Sequence, residues 1–477
     1  MNRIHIFTAS VTLCVLAAGC AAPGTGPNDA RATATVPPTW MQPVAANAPA
    51  VDLHQWWKSF NDPTLDALVQ EAIHSNLDLK ISLSRLREAR LETGRASAQF
   101  KPAFSANARN LQDISATDTY FHASIDMVWE LGLFGAAQST RQIAEAAAAY
   151  ADADVQGVRV SVIADVVRNY LDLRSAQRQQ AQLEQLVDSA QRLAALTQVR
   201  LRTWQGTAEE VVQIQLQVAQ LGASQAQVKL AASNAAQALA ILLGRATPDP
   251  AWLEHPTHTS GLLAPFSLPQ FPTDLLRTRP DVKAAEADVM RAAAAAGLAR
   301  SELYPRITLA GSFLYSYNIT RNFRTKTNNA PAVGPIVDIP LFDWGRRLTQ
   351  VDIKEEALNA SLISYQRSVN QGVAETEGAL AAMAAQQARA QALDQALSLV
   401  RQRTQATQKQ RRLGLASEYE VLARQRAEWQ AQQELEAAHH AHALAFVALY
   451  KALGGAPLPE QDVAAQTSAS AHAKVDQ

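Results

Sequence analysis

Cysteine is almost absent. The two in this 477-residue chain, Cys14 and Cys20, both fall near its start, so the body of the protein has no disulfide to rely on. Charge of one sign is not in excess either: 43 Lys and Arg stand against 44 Asp and Glu, a net charge of −1. Without a basic patch or arm to neutralise phosphates, a nucleic-acid binder is excluded. Beyond the N-terminus no segment holds eighteen uninterrupted apolar residues, so no transmembrane helix is expected in the mature chain. Catalytic signatures are missing as well. There is no Gly-x-Ser-x-Gly, phosphate loop or His-Glu-x-x-His, and no enzyme activity, cofactor or metal is expected. His439 and His442 share one helical face at a metal-compatible spacing, with His440 beside them; they are read as solvated helix surface rather than as a site.

What is present is a stretch that occurs twice. From Ser301 to Leu348 an alanine-rich helical pattern gives way to alternation and then to a much longer helical pattern. Ile307, Leu309, Phe313, Tyr315 and Tyr317 are apolar, while Thr308, Ser312, Ser316 and Asn318 between them are polar. That is period two, a strand with one apolar face. A polar run from Ile319 to Asn329 reads as the hairpin loop, and Val333, Val337, Ile339 and Leu341 make the return strand, with Pro335 expected at an end or a bulge.

Earlier in the chain, Phe104 to Arg109 and Phe121 to Leu131 alternate in the same way. Pro102 follows Asp78 at the same distance as Pro305 follows Asp281. Leu133-Phe134-Gly135 corresponds to Leu341-Phe342-Asp343-Trp344-Gly345, Gly206-Thr-Ala-Glu-Glu to Gly414-Leu-Ala-Ser-Glu, and Leu243-Gly244-Arg245 to Leu453-Gly454-Gly455. The chain is therefore a tandem duplication, each copy a helix, a β-hairpin, a long helix and a further helix.

The long helical patterns contain no proline and would reach roughly 100 Å at 1.5 Å per residue, too long for a globular domain. In the second, Leu358, Leu362, Tyr365, Val369, Gly372, Thr376, Leu380 and Met383 follow the 3-4 alternation of a left-handed coiled-coil seam. A soluble four-helix bundle would account for the helices alone. The strands exclude it. Strands apolar on one face and polar on the other suit a barrel with lipid outside and water inside, and lipid does not tolerate open sheet edges. Four strands cannot close, so several chains must share one barrel; three chains would give twelve strands and a water-filled lumen.

At the N-terminus a short basic start and an apolar core from Ile6 to Ala18 read as an export signal. Leu16-Ala17-Ala18-Gly19-Cys20 resembles a bacterial lipobox, in which the cysteine receives a diacylglyceride and becomes the first residue of the mature protein. An ordinary signal peptide cleaved near Ala18 or Ala22 is the alternative. Residues 21–52, rich in Ala, Pro and Thr, read as an extended tether. In Trp56-Trp57-Lys-Ser-Phe60-Asn-Asp62-Pro63-Thr-Leu65, Asp62 caps a helix that Pro63 opens. The two tryptophans are expected to pack against the helical body rather than to form a membrane belt.

The motif just given, together with Arg279-Pro280-Asp281-Val282, Tyr304-Pro305, Leu341-Phe342-Asp343-Trp344-Gly345 and Leu449-Tyr-Lys-Ala-Leu-Gly-Gly455, resembles the outer membrane factor family. These are TolC-type exit ducts of tripartite efflux pumps, and the lipidated NodT-like branch is the nearest likeness. The resemblance implies a mainly α fold with a small β portion: a long α-helical coiled-coil barrel plus a twelve-stranded transmembrane β-barrel shared by a homotrimer. It implies a passive conduit for small molecules, lipid-anchored at Cys20 in the cell outer membrane and extending into the periplasm, with a periplasmic adaptor and an inner-membrane transporter as partners. The exit duct of a type I protein secretion system, and a non-conducting coiled-coil spacer lipoprotein, are the alternatives.

The expected organisation is a signal peptide over 1–19 and a lipidated tether over 20–60. A first repeat follows over 61–245, with hairpin 103–131, long helix 138–203 and helix 207–244. A linker spans 246–272, the second repeat 273–455 has hairpin 306–341, long helix 346–412 and helix 416–454, and a polar tail covers 456–477. The resemblance places a periplasmic gate just after the second helix turn, at Glu418 and Glu420, with Ala423 where the family has Asp. Arg411 and Arg412 are candidate latches, pairing with a neighbour. The turns at Gly206, Thr207, Ala208 and Gly414, Leu415, Ala416, Ser417 are the expected adaptor contact. A wide lumen selects little, so the sequence names no substrate.

Overall fold

The computed structural model describes residues 40–41, 55–112, 118–254, 278–320, 323–324 and 331–455. Cys20, most of the tether, residues 255–272 of the linker and the tail 456–477 lie outside them. A 3-10 turn, Trp56–Phe60, leads into α1 (Pro63–Ser75) and α2 (Leu77–Ala98), followed by strands β1 (Ala103–Gln112) and β2 (Thr119–Glu130). Then come α3 (Ala136–Arg202), α4 (Ala208–Leu242) and α5 (Pro280–Ser301). The second sheet segment is β3 (Arg306–Asn318), β4 (Phe323–Arg324) and β5 (Pro331–Asp338), and the chain closes with α6 (Arg346–Arg412) and α7 (Glu418–Ala452). Two compact units divide these residues: 87–150 with 285–367, and the remainder.

The first unit carries an antiparallel sheet ordered β1-β2-β3, with β4 and β5 both on the far edge of β3. The fourth strand is thus interrupted, and the short β4 lies within the stretch expected to be only loop. The pairing keeps one set of side chains on each face, because partners opposite one another share a face. Phe104, Ile125, Phe313 and Pro331 fall on one side; Ser105, Asp126, Ser312 and Ala332 fall on the other.

Pro335 sits inside β5, opposite Leu309, and not at an end or bulge. The ladder explains why it is tolerated. The Leu131 amide donates to the Ile307 carbonyl and the Ile319 amide to the Thr119 carbonyl, so odd residues of β3 bond to β2 and even ones bond to β5. Even residues of β5 face β3, and Pro335 turns its missing donor to the open edge, where a strand can lack one.

Each hairpin returns to a helix through an aromatic residue and a glycine that are both left-handed. Phe134 has φ 56° and Gly135 φ 88°; Trp344 has φ 58° and Gly345 φ 78°. Phe134 stacks on Tyr304 at 5.0 Å, and Phe342 meets Trp344 edge-on at 4.9 Å.

The second unit is helical. Along α6 the expected seam is buried at Leu358, Tyr365, Val369, Gly372, Thr376 and Leu380, of which the last four belong to this unit. Trp56 and Trp57 are buried in its core. Trp56 stacks on Tyr450 at 4.3 Å and meets Phe446 edge-on at 5.5 Å. Asp62 caps α1, accepting from the Thr64 and Leu65 amides at 2.9 and 3.4 Å. Its other oxygen accepts from the Tyr170 hydroxyl at 2.5 Å, and Arg174 donates to that hydroxyl at 2.9 Å. Burial, followed by the Asp62 hydrogen bond, pushes the Tyr170 phenol up to about 12. The tryptophan motif is therefore a packing and capping device. Trp56→Ala is expected to cost roughly 3–5 kcal/mol, because it opens a cavity among four other aromatic rings; a thermal melt followed by near-UV circular dichroism measures it.

The Arg279-Pro280-Asp281 motif has a role of the same kind. The Arg279 side chain is 6% exposed, and its guanidinium donates to Asp281 at 3.0 and 2.8 Å and to Glu375 at 2.7 Å. It also donates to the Ala452 carbonyl at the end of α7. Burial disfavours the charge, but the bonds to Asp281 and Glu375 outweigh it and raise the pKa above the ordinary arginine value. Gly454, at φ 77°, lies against this arginine so closely that a Cβ there would come within 2.6 Å of Arg279 Cγ. The Leu-Gly-Gly ending of α7 and the Arg-Pro-Asp opening of α5 are two halves of one joint.

Candidate functional site at the helix turns

Both helix turns lie in the second unit. In the α6–α7 turn Gly414 takes the left-handed position at φ 76°, and the Leu415 amide donates to the Gln410 carbonyl at 2.8 Å. In the α3–α4 turn the same position is held by Trp204, at φ 59°, with the Gln205 amide donating to the Arg200 carbonyl at 2.8 Å. The left-handed residue is therefore Trp204 and not Gly206, and Trp204 matches Gly414. Gly206 has a different use: a Cβ there would meet Glu210 Oε2 at 3.0 Å and Arg200 Cβ at 3.2 Å. Trp204, Leu413 and Leu415 are almost bare, at 96%, 74% and 75% exposure.

The helices after the turns begin alike and then diverge. Ser417 and Glu420 form a reciprocal capping box: the Glu420 amide donates to Ser417 Oγ at 3.2 Å, and Glu420 Oε2 accepts from the Ser417 amide at 2.7 Å. Those Ser417 bonds, backbone first, hold the Glu420 carboxyl below its ordinary value. In the first copy Thr207 accepts from the Glu210 amide at 3.2 Å, but the Glu210 carboxylate turns instead to Arg200, 3.6 Å away. The partner residue decides the difference, since Gln410 stands in the second copy where Arg200 stands in the first.

Arg200 also bridges the copies. Its guanidinium lies 4.5 Å from the Tyr419 ring, and one of its N–H groups donates to the Gln205 carbonyl at 2.9 Å. About two helical turns further along, Arg426 donates to Gln217 at 2.5 Å. Leu193, Ile214 and Leu422 pack together beneath, beside a cavity of about 300 Å³ that Tyr419, Ala423 and Arg426 help to line. Arg411 pairs with Glu418 of its own chain at 3.0 Å, across the turn. Arg412 is exposed at the end of α6, while Thr207, Ala208, Ala416 and Ser417 surround the two turns. Arg200, Glu210, Gln217 and Arg426 were not singled out from the sequence. The available signal was the unequal duplication, Arg200 against Gln410.

The histidines are half-buried rather than solvated. His440 Nε2 lies 2.9 Å from Asp172, and burial, then His439, lowers the His442 pKa.

On the polar face of the sheet Asp126 gathers three donors. Asn107 Nδ2 and Ser124 Oγ each reach Oδ2 at 2.8 Å, and Ser312 Oγ reaches Oδ1 at 2.6 Å. Three strands thus tie their hydrophilic side to one carboxylate, which fits a face turned to water.

Comparison with known proteins gives a consistent result. The family model described as outer membrane efflux protein matches residues 68–245 and 271–455. The chain is 26% identical over 460 residues to the pyoverdine export outer membrane protein OpmQ of Pseudomonas aeruginosa, covering 93% of this chain and 96% of that one. It is 28% identical over 364 residues to nodulation protein T of Rhizobium leguminosarum bv. viciae, covering 75% of each. Among solved structures, the outer-membrane channel OprN superposes with a TM-score of 0.76 at 26% identity, covering 89% of this chain and 96% of that one.

Proposed function

The chain belongs to the outer membrane efflux protein family and is an outer-membrane efflux channel, and from this we propose that three copies join their sheets into one closed barrel that conducts small solutes outward. The carrying observation is the sheet itself. It is apolar on one face and polar on the other, and among the described residues both outer edges lack a partner. In lipid such edges must be closed by another chain.

The turns are the reading's moving part. Arg200 reaches both Glu210 and Tyr419, and Arg426 reaches Gln217, so two contacts tie the helix pair of one copy to α7 of the other. Glu418 and Glu420 with Arg411 and Arg412 form the rim of the same mouth. The bare Trp204, Leu413 and Leu415, with the turns 206–208 and 414–417, are the surface offered to a periplasmic adaptor, which in turn engages an inner-membrane transporter. A lipid on Cys20 adds a second hold on the membrane. The test is single-channel recording of the purified protein in planar bilayers. Discrete, long-lived openings are expected; a folded oligomer that stays silent at every voltage would overturn the reading.

A further inference from the structure

We infer that the seam between two copies pairs β5 of one with β1 of the next, and that Pro331 and Pro335 leave this ladder short of donors by construction. The inference rests on the proposed shared barrel and deepens it by naming its weakest joint. The same hydrogen-bond parity that places Pro335 fixes both edges. Odd residues of β2 bond to β3; its even residues therefore bond to β1, where their partners are the odd residues. The outward groups of β1 belong to Phe104, Ala106, Ala108 and Asn110. Those of β5 belong to Pro331, Val333, Pro335 and Val337. All of them stand on the apolar face, as antiparallel pairing of these two edges requires.

The two edges are not equal. The four β1 residues each present an amide and a carbonyl. On β5 all four present a carbonyl, but only Val333 and Val337 present an amide. Opposite each proline the seam keeps one hydrogen bond of the usual two and leaves a β1 carbonyl without a backbone donor. Two β5 edges would fare worse against each other, because each would bring its own missing donors. The prolines thus blunt β5 before assembly, as edge strands commonly require, and direct it to the fully equipped β1 edge.

The experiment places Val333→Cys together with Phe104→Cys, Ala106→Cys or Ala108→Cys in the full-length lipoprotein. Directly opposed residues on such a ladder lie about 5.5 Å apart at Cα, within disulfide range. One of the three pairs is expected to give covalent dimers and trimers on oxidation, and the single variants none. Pro331→Ala with Pro335→Ala is expected to lengthen the half-life of the oligomer in hot detergent about tenfold, the equivalent of roughly one net backbone hydrogen bond. The two introduced amides are expected to resist hydrogen exchange in the oligomer. Conducting channels with no cross-link from any pair would overturn the seam and leave the channel standing. Cross-links with freely exchanging amides, or an unchanged or shortened half-life, would overturn the role of the prolines. The absence of both oligomer and conductance would overturn the shared barrel itself.

Discussion

Arg279→Ala loses about 2–4 kcal/mol of stability and with it the assembled protein. The estimate follows from what the side chain holds. A guanidinium 6% exposed satisfies two carboxylates and the final carbonyl of α7, and hydrogen bonds to a charged group contribute about 1.5–3 kcal/mol each when one partner is removed. The cost stays below the upper range for a broken buried ion pair, because Asp281 and Glu375 are 49% and 44% exposed and can turn to water. Thr376 Oγ1 still reaches the Ala452 carbonyl at 3.2 Å. Arg279→Lys keeps the charge but not the fork, and is expected to recover less than half of the loss. Gly454→Ala is expected to resemble Arg279→Ala, since the added methyl would collide with the arginine stem and sit in a left-handed backbone. Thermal unfolding of the detergent-solubilised protein, with the oligomer band on a native gel, measures all three. Wild-type behaviour of Arg279→Ala would mean that the joint is not a keystone.

The fold was legible where residues repeat and less so where they turn. Alternation located the strands because a two-residue period survives any detail of packing, and the seam along α6 was legible because knobs recur every three or four residues. Pro335 was misplaced for a physical reason. Sequence shows that a donor is missing, but which side of the strand it is missing from depends on the neighbouring ladder. The match of Gly206 to Gly414 failed for another. Glycine marks a left-handed residue only by default, and here Trp204 carries that geometry while Gly206 makes room for Arg200 and Glu210. Glu420 was singled out through the family resemblance alone. Its fold back onto Ser417, and the engagement of its counterpart Glu210 with Arg200, depend on which partner lies a helical turn before each loop.

Opening at the turns is expected to respond most to Arg200→Ala combined with Arg426→Ala. The Arg200 contacts are about one-third exposed, so the ion pair to Glu210 and the ring contact to Tyr419 are discounted for solvent. Together with the Arg426–Gln217 bond the contacts supply about 2 kcal/mol, and losing them shifts the closed-to-open ratio by roughly 30-fold. Larger and longer openings in planar bilayers are the expected readout; unchanged conductance in a folded double variant would remove these residues from the gate. Glu420→Gln is expected to act differently, weakening cation preference without widening the pore, because its carboxylate is bound to its own helix start. The pH dependence separates the two forces on that carboxylate. The Ser417 bonds place its folded pKa below the ordinary 4.5, so the capping interaction is complete above the unfolded value and is lost only as pH falls through the lower, folded one. Three such carboxylates crowded at one axis would instead raise each other's pKa. Cation preference is therefore expected to hold from neutral pH down to about 4.5 and to fade below it; a fade that begins well above that point would show that like-charge repulsion outweighs the cap and that Glu420 faces its symmetry mates.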